Sequence, residues 1–218
     1  MQDALVWQLV DSAFPTGAFA HSLGLESAWQ HGEVVSRDDL RRFVEATILQ
    51  AASGALPLVN AAHREPARLA EWDALNDAFL TNAVANRASR QQGRTLLASA
   101  ARIWPSSALD AVQAQLPHLC AHAAPMTGVV CGTLGISLET TQRVVLFVAA
   151  RGVLSAAVRL GVTGSYDAQR LQSECAGYSV TVLARYRDAG PTELAQTAPI
   201  IDILQGAHDR LYSRLFQS

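Results

Sequence analysis

Apolar side chains recur three and four positions apart along most of the chain, the periodicity of helices that bury one face. Alternating β-branched runs, which would indicate strands, are nearly absent. The clearest helix covers 37–53, where Ser36 and Asp39 form a capping-box pattern and Gly54 lies near the end. Its apolar face is carried by Leu40, Phe43, Val44 and Thr47. The pattern predicts an all-α, single-domain bundle of roughly eight to ten helices.

Helix start and stop signals divide the rest of the sequence into further elements. Pro66 is well placed as the first residue of one helix. Proline has no backbone N–H, and the N–H groups of the first turn have no partner within the helix, so its absence there costs little. In the first half of the chain the predicted elements are a short N-terminal helix over 1–12, a helix that Ser22 caps, a helix over 66–80 and a longer segment over 77–104. They are followed by a short helix capped by Ser106 or Ser107, a buried loop and small-residue helix over 116–138, and helices over 137–161 and 165–190. The chain ends with a linker or partly extended passage over 194–203 and an amphipathic stretch over 204–216.

No stretch has the composition of a linker between domains, apart from loops near residues 12–21, 116–125 and 189–202. The sequence therefore predicts one domain over residues 1–218. Within it, residues 204–218 are interpreted as an interaction tail. Chain ends fray unless they dock, and an apolar pair beside Arg214 is typical of a docked end.

The predicted helix over 137–161 is apolar almost all round, so it needs the centre of the bundle or an oligomer interface. A domain of this size buries such a helix on every side with difficulty, and we expect a homodimer. Arg151 and Arg159 interrupt its apolar run, and two prolines and two histidines interrupt the segment 116–138, which argues against membrane spans. Arg151 is expected to pair with a carboxylate or with helix C-terminal carbonyls, whereas Arg159 is either paired or offered at an interface.

Composition removes several classes of function. All seventeen basic residues are arginine, so a phosphate-binding loop of the GxxxxGK[ST] kind, a protein kinase, a pyridoxal Schiff base and an SxxK hydrolase are excluded. The net charge of −2 with no charged tail disfavours bulk nucleic-acid binding. Three cysteines without CxxC spacing and an N-terminus without a basic region before its apolar stretch favour the cytoplasm.

The N-terminal segment places two aromatics, Phe14 and Phe19, at the ends of a tight turn. Asp11, Ser12 and His21 suggest a nucleophilic triad. No nucleophile elbow surrounds the serine, and a histidine beside a helix start is more often structural, so the structural interpretation is favoured.

Two further patterns suggest binding chemistry. His118, Cys120 and His122 have an HxCxH spacing that offers metal ligands, although flanking prolines argue against a regular helix and loop histidines near a buried thiol are the favoured interpretation. A basic strip at helical spacing, Arg87, Arg90 and Arg94, lies in a segment with no acid between Asp77 and Asp110. This strip is either a solvated helix face or a contact for an acidic partner surface.

Four blocks in order along the chain resemble the urease accessory protein UreF family. They are FPTGAFAHSLGLE in the N-terminal segment, NRASRQQGRTLL over 86–97, LSAAVRLGVTG over 154–164 followed by DAQRL over 167–171, and the terminal HDRLYSRLFQS over 208–218.

The resemblance implies an all-α, dimeric accessory protein that joins a UreD-type scaffold protein and a UreG-type GTPase to apo-urease for nickel insertion. It implies a non-catalytic adaptor with no cofactor of its own, because the complex handles nickel and GTP. An action of Arg159 on the partner's nucleotide is a hypothesis that an assay of partner GTP hydrolysis tests. The alternative is a helical metal-handling or hydrolytic enzyme centred on the histidines. The residues expected to contact partners are Phe14, Pro15, Gly17, Phe19, His21, Glu26, Arg87, Arg90, Arg94, Arg159, His208, Arg214, Leu215 and Phe216.

Overall fold

The computed structural model describes residues 2–217, so Met1 and Ser218, the ends of the predicted domain and tail, lie outside the described residues. Within that range the chain forms α-helices and short 3-10 turns and no strand, which confirms the all-α class. The helices are α1 (Gln2–Val10), α2 (Leu25–Gln30), α3 (Arg37–Gly54), α4 (Leu56–Arg64), α5 (Leu69–Phe79), α6 (Ala83–Ile103), α7 (Ser107–Gln113), α8 (Ala123–Thr133), α9 (Leu138–Arg159), α10 (Ser165–Glu174), α11 (Ala176–Tyr186) and α12 (Pro199–Ala207).

Residues 2–217 hold twelve α-helices, two more than the upper expectation. One addition is α4, which follows α3 almost directly and starts with a proline in its first turn. The other arises because the predicted helix over 165–190 is two helices, broken at Cys175. The prediction of a single domain remains a prediction.

Side-chain caps fix several boundaries where the sequence placed them. Ser36 and Asp39 form the predicted capping box at the start of α3, and Ser106 and Ser137 cap α7 and α9 by accepting a backbone N–H each. Pro66 opens a 3-10 turn rather than the helix itself, which begins at Leu69. The predicted segment over 77–104 is interrupted after α5, and Asn82 caps α6.

The structure divides the C-terminal segment more finely than the sequence does. The passage 194–203 is irregular only as far as Ala198, because Pro199 starts α12 from the favoured first-turn position. The amphipathic stretch 204–216 contains the end of α12 at Ala207, a 3-10 turn over His208–Arg210, and part of the irregular segment 211–217.

Buried apolar side chains form two clusters. One lies between α1, α4, α5, α6, α7 and α8, and the other between α2, α3, α9, α10, α11 and the tail residue Phe216. A buried amide pair links the two parts: Gln142 Nε2 of α9 donates to Asn60 Oδ1 of α4 at 2.7 Å, and Asn60 Nδ2 donates to the Ala189 carbonyl at 2.9 Å. Because buried amides require partners, this pair fixes how α4, α9 and the end of α11 pack.

Among the described residues, α9 is the one helix with the length and mean hydropathy, 1.3, of a membrane span. The same properties are typical of a core helix, and 44% of its apolar window is buried inside the protein. Among residues 2–217 no carboxylate forms an ion pair with Arg151, whose guanidinium lies 6.0 Å from the Phe147 ring. Burial lowers the pKa of Arg151, and the charge of Asp11 opposes that shift. Phe147 itself is exposed.

Candidate functional site

The N-terminal loop presents one aromatic inward and one outward. Phe14 is buried and stacks on Trp104 with ring centroids 5.6 Å apart. The Pro15 carbonyl accepts a 2.7 Å hydrogen bond from Ser99 Oγ on α6, and the turn continues through Gly17 at φ 74°. Phe19, at the far end of the turn, is 62% exposed. The loop is therefore fixed to α6 at one end and carries an exposed ring at the other.

Glu26 on α2 is a buried carboxylate that holds the tail. Its Oε1 accepts from the Leu215 backbone N–H at 2.6 Å, and its Oε2 accepts from the Phe216 N–H at 3.1 Å. His208 Nε2 lies 3.0 Å from the same Oε2, within hydrogen-bond distance. Burial lowers the pKa of the neighbouring His21, and His208 lowers it further.

Helix α2 begins without the predicted serine cap. Its N-cap is Gly24, in the left-handed region at φ 86°, where a side chain would be strained. A Cβ there would also lie 3.2 Å from the Gln205 nitrogen and 3.3 Å from the Ile201 carbonyl oxygen. The expectation for Ser22 was wrong because the chain needs a glycine where α12 approaches α2.

Arg159, at the end of α9, clamps the tail to the loop. Its guanidinium carbon lies 3.8 Å from the Phe19 ring centroid and 4.2 Å from that of Phe216, within the range of cation–π attraction. It also donates to the Phe19 carbonyl oxygen. A role toward a partner's nucleotide would require this guanidinium to leave both rings.

Backbone contacts complete the attachment. The Gln217 N–H donates to the Ala20 carbonyl at 2.8 Å, and Gln30 Nε2 donates to the Ser213 carbonyl at 2.9 Å. The exposed parts of residues 19–31 and 211–217 therefore form one face, named here the loop–tail surface. Its exposed large apolar side chains are Phe19, Trp29, Tyr212 and Leu215.

The fourteen residues expected at partner contacts divide by burial. Phe14, His21, Glu26, His208 and Phe216 are buried, so they position the loop–tail surface rather than form its outer layer.

Of the suggested triad, Asp11 and Ser12 are exposed, and Asp11 Oδ1 accepts the Ala13 N–H at 2.7 Å. That contact gives Asp11 a turn-capping role.

Two of the three arginines of the basic strip form ion pairs with acids that lie outside the strip. Arg87 Nη2 lies 2.7 Å from Asp209 Oδ2, and this hydrogen bond lowers the pKa of Asp209. Arg90 Nε lies 3.8 Å from Asp77 Oδ1. Arg94 is exposed, and the described residues give it no ion pair. The acids that neutralise the strip come from outside the interval 78–109.

The HxCxH segment does not bring its two histidines together. His118 ends a 3-10 turn and is exposed, whereas His122 is buried. His122 Nε2 lies 3.0 Å from Asp77 Oδ1, and Cys120 Sγ accepts from Arg90 Nη2 at 2.8 Å. The potential ligand atoms of Asp77, Cys120 and His122 lie within 4.8 Å of one another, so an acid of α5 replaces His118 in the cluster.

Comparison with known proteins identifies the family. The UreF family profile matches residues 34–176. The rice (Oryza sativa subsp. indica) protein named urease accessory protein F is 41% identical over 216 residues, covering 96% of this chain and 83% of the rice protein. The Arabidopsis thaliana protein of the same name is 40% identical over 97% of this chain and 91% of its own length. The chain belongs to the UreF family.

A bacterial relative, the urease accessory protein UreF of Arthrobacter sp. (strain FB24), is 30% identical over 97% of this chain and 95% of its own length. As a UreF-family member, the chain is a urease accessory protein with a role in urease maturation.

Three of the four UreF-like blocks meet at the loop–tail surface. The first supplies the loop and Glu26, the third supplies Arg159, and the terminal block supplies His208 and the tail. The remaining block forms the middle of α6, where Gly93 faces the loop 121–123.

Sequence reasoning missed two acids of α5. Asp73 is buried and accepts the backbone N–H groups of Ala121 and His122 at 3.0 and 2.7 Å, and Asp77 contacts the His122 ring. Hydrogen bonds from Asn86 and His122 lower the pKa of Asp77. Their spacing of four on one helix face, beside the buried Trp72, is the signal that could have found them.

Proposed function

We propose that this UreF-family protein is a non-catalytic adaptor that joins a UreD-type scaffold protein and a UreG-type GTPase to apo-urease during metallocentre assembly. Nickel is the cargo of that complex and GTP the substrate of the GTPase, and the protein is expected to act in the cytoplasm. The observation that carries the proposal is the loop–tail surface, an apolar face held in place by the buried carboxylate of Glu26 and the partly buried guanidinium of Arg159.

A preorganised apolar surface favours tight protein binding, because the tail loses little further conformational freedom when a partner docks. Aromatic side chains dominate such contacts through the area that they bury. Phe19 is 62% exposed, Tyr212 is fully exposed and Leu215 is 54% exposed. Phe19 lies beside the tail, and the other two belong to it. We assign this surface to the UreD-type scaffold protein.

Replacing the outer residues of the tail tests the assignment. Tyr212→Ser combined with Leu215→Ser is expected to weaken capture of the UreD-type protein at least about ten-fold, because two exposed apolar anchors are lost. The measurement is affinity by biolayer interferometry, with unfolding free energies recorded in parallel. Neither side chain is part of the core, so stability should stay within about 0.5 kcal/mol of the wild type.

The matched control is Tyr166→Ser, which removes an equally exposed tyrosine at the start of α10. Its affinity should equal that of the wild type. Equal affinity of the tail variant and the wild type would reject the loop–tail surface as the scaffold contact.

The protein is further proposed to be a homodimer that buries the exposed side of α9. Phe147 on α9 is 41% exposed, and α1, which packs on α9, exposes Trp7. A second copy would cover these rings and the apolar stem of Arg151.

Phe147→Glu is expected to convert the dimer to a monomer, because the two-fold interface would bury two unpaired carboxylates, one from each copy. Sedimentation velocity over a range of concentrations measures the mass. Val180→Glu, an equally apolar exposed position on α11, should remain dimeric. A wild type that sediments as a monomer at every concentration would overturn this part of the proposal.

A further inference from the structure

We propose that Asp77, Cys120 and His122 form a binding site for one divalent transition-metal ion of the zinc and nickel group. This site goes beyond the adaptor function, which does not depend on it. Its residues come from α5 and from the loop that precedes α8, well separated in sequence. The potential ligand atoms, one carboxylate oxygen, one thiol sulfur and one imidazole nitrogen, lie within 4.8 Å of one another.

The ligand set selects the kind of ion. Thiolate and imidazole favour borderline and soft metals, whereas Mg²⁺ and Ca²⁺ prefer oxygen alone. In a tetrahedral site with bonds of about 2.0–2.3 Å, neighbouring ligand atoms lie about 3.3–3.8 Å apart. His122 Nε2 and Asp77 Oδ1 are 3.0 Å apart, so this pair needs to open by only a few tenths of an ångström to admit the ion. Asp77 and Cys120 are partly exposed, which leaves solvent access for a fourth ligand.

Neighbouring groups hold the histidine in an orientation suited to a ligand. His122 Nδ1 lies 3.1 Å from Ser89 Oγ, which leaves Nε2 directed at Asp77. Metal-binding histidines commonly use the second ring nitrogen in this way. The backbone is fixed as well, because buried Asp73 accepts the N–H groups of Ala121 and His122. Ala121 has φ 65°, a strained value for alanine, and this turn directs the residues on both sides of it toward α5.

Arg90 occupies the cluster as a competing cation. Its Nη2 lies 2.8 Å from Cys120 Sγ and its Nε lies 3.8 Å from Asp77 Oδ1. Its buried Nε has no hydrogen-bond partner among the described residues, so part of the guanidinium is weakly held there. An incoming ion displaces this guanidinium and binds the sulfur as thiolate, releasing the thiol proton to solvent.

The test is a titration of the purified full-length protein with Co²⁺, followed by absorption spectroscopy. The wild type should show a thiolate-to-cobalt charge-transfer band in the near ultraviolet that saturates at one ion per chain. Cys120→Ser should abolish the band, and Asp77→Asn should weaken Co²⁺ binding at least about ten-fold. His118→Ala is the matched control and should bind as the wild type does. Arg90→Gln should bind Co²⁺ more tightly, because an arginine repels a doubly charged ion more than it stabilises a singly charged thiolate.

A second measurement needs no variant. Zn²⁺ should protect Cys120 from alkylation, read by mass spectrometry, while buried Cys131 and Cys175 stay unmodified with or without the ion. The proposal is overturned if the wild type shows no charge-transfer band, if the band survives Cys120→Ser, or if His118→Ala abolishes it. Cys120→Ser should keep full affinity for the UreD-type protein, and the Tyr212 and Leu215 variant should keep Co²⁺ binding, so failure of one proposal is distinguishable from failure of the other.

Discussion

Glu26→Gln is expected to lower the free energy of unfolding by about 3 kcal/mol and to release the tail from the loop. The carboxylate accepts from two tail backbone N–H groups and faces the buried His208 ring. An amide keeps the shape but offers one acceptor oxygen, and its NH₂ group would face a donor. The loss is large because buried donors are then left without an acceptor, away from water.

Urea denaturation measures the stability change, and limited trypsin digestion measures release of the tail. Because the chain has no lysine, trypsin cleaves only after arginines. Arg210 lies just before residues 211–217 of the loop–tail surface, and Arg214 lies among them. Cleavage at these two sites should become faster in the variant. Glu33→Gln, at an exposed glutamate just beyond α2, is the matched control and should change neither measurement. Wild-type stability and wild-type cleavage of the Glu26 variant would show that the carboxylate does not hold the tail.

The helices whose ends are set by neighbouring side chains could be predicted from sequence. Ser36 with Asp39 and Ser137 each act within three or four residues, and both define helix starts in the structure. The start of α12 was also encoded, by Pro199, but the small and polar residues before it concealed the signal. That segment is held from afar, because Gln50 Oε1 of α3 accepts the Thr197 and Ala198 N–H groups at 2.7 and 3.0 Å.

The contacts that build the candidate site could not be predicted, because they join distant parts of the chain. Glu26 and the Phe216 N–H are 190 residues apart, and Arg87 meets Asp209 across 122 residues. Acids from outside the interval 78–109 therefore pair with two of the three arginines of the basic strip. The UreF-like blocks at the two ends of the chain are far apart in sequence, and only the structure shows that Arg159 joins them.

Gly93→Ala is expected to destabilise the protein by about 2–3 kcal/mol, because overpacking forces the backbone to move. A Cβ at this position of α6 would lie 2.7 Å from the carbonyl carbon of His122, 2.9 Å from the Ala123 nitrogen, and closer still to the Ala121 carbonyl oxygen. These are backbone atoms, and Asp73 holds the same loop from the other side. A side-chain rotation therefore cannot relieve the clash.

Gly177→Ala is the matched control, since Gly177 is also helical but has no atom within 4 Å of a built Cβ. There the substitution should be neutral or should stabilise the protein by up to about 1 kcal/mol, because alanine favours the helix more than glycine does. Opposite signs in urea denaturation would show that the glycine of the family-like block in α6 is required by the approach of the loop 121–123. Equal effects at the two positions would instead show that helix propensity alone explains the stability change at Gly93. Since that loop carries His122, Gly93→Ala should also weaken Co²⁺ binding, which Gly177→Ala should leave unchanged.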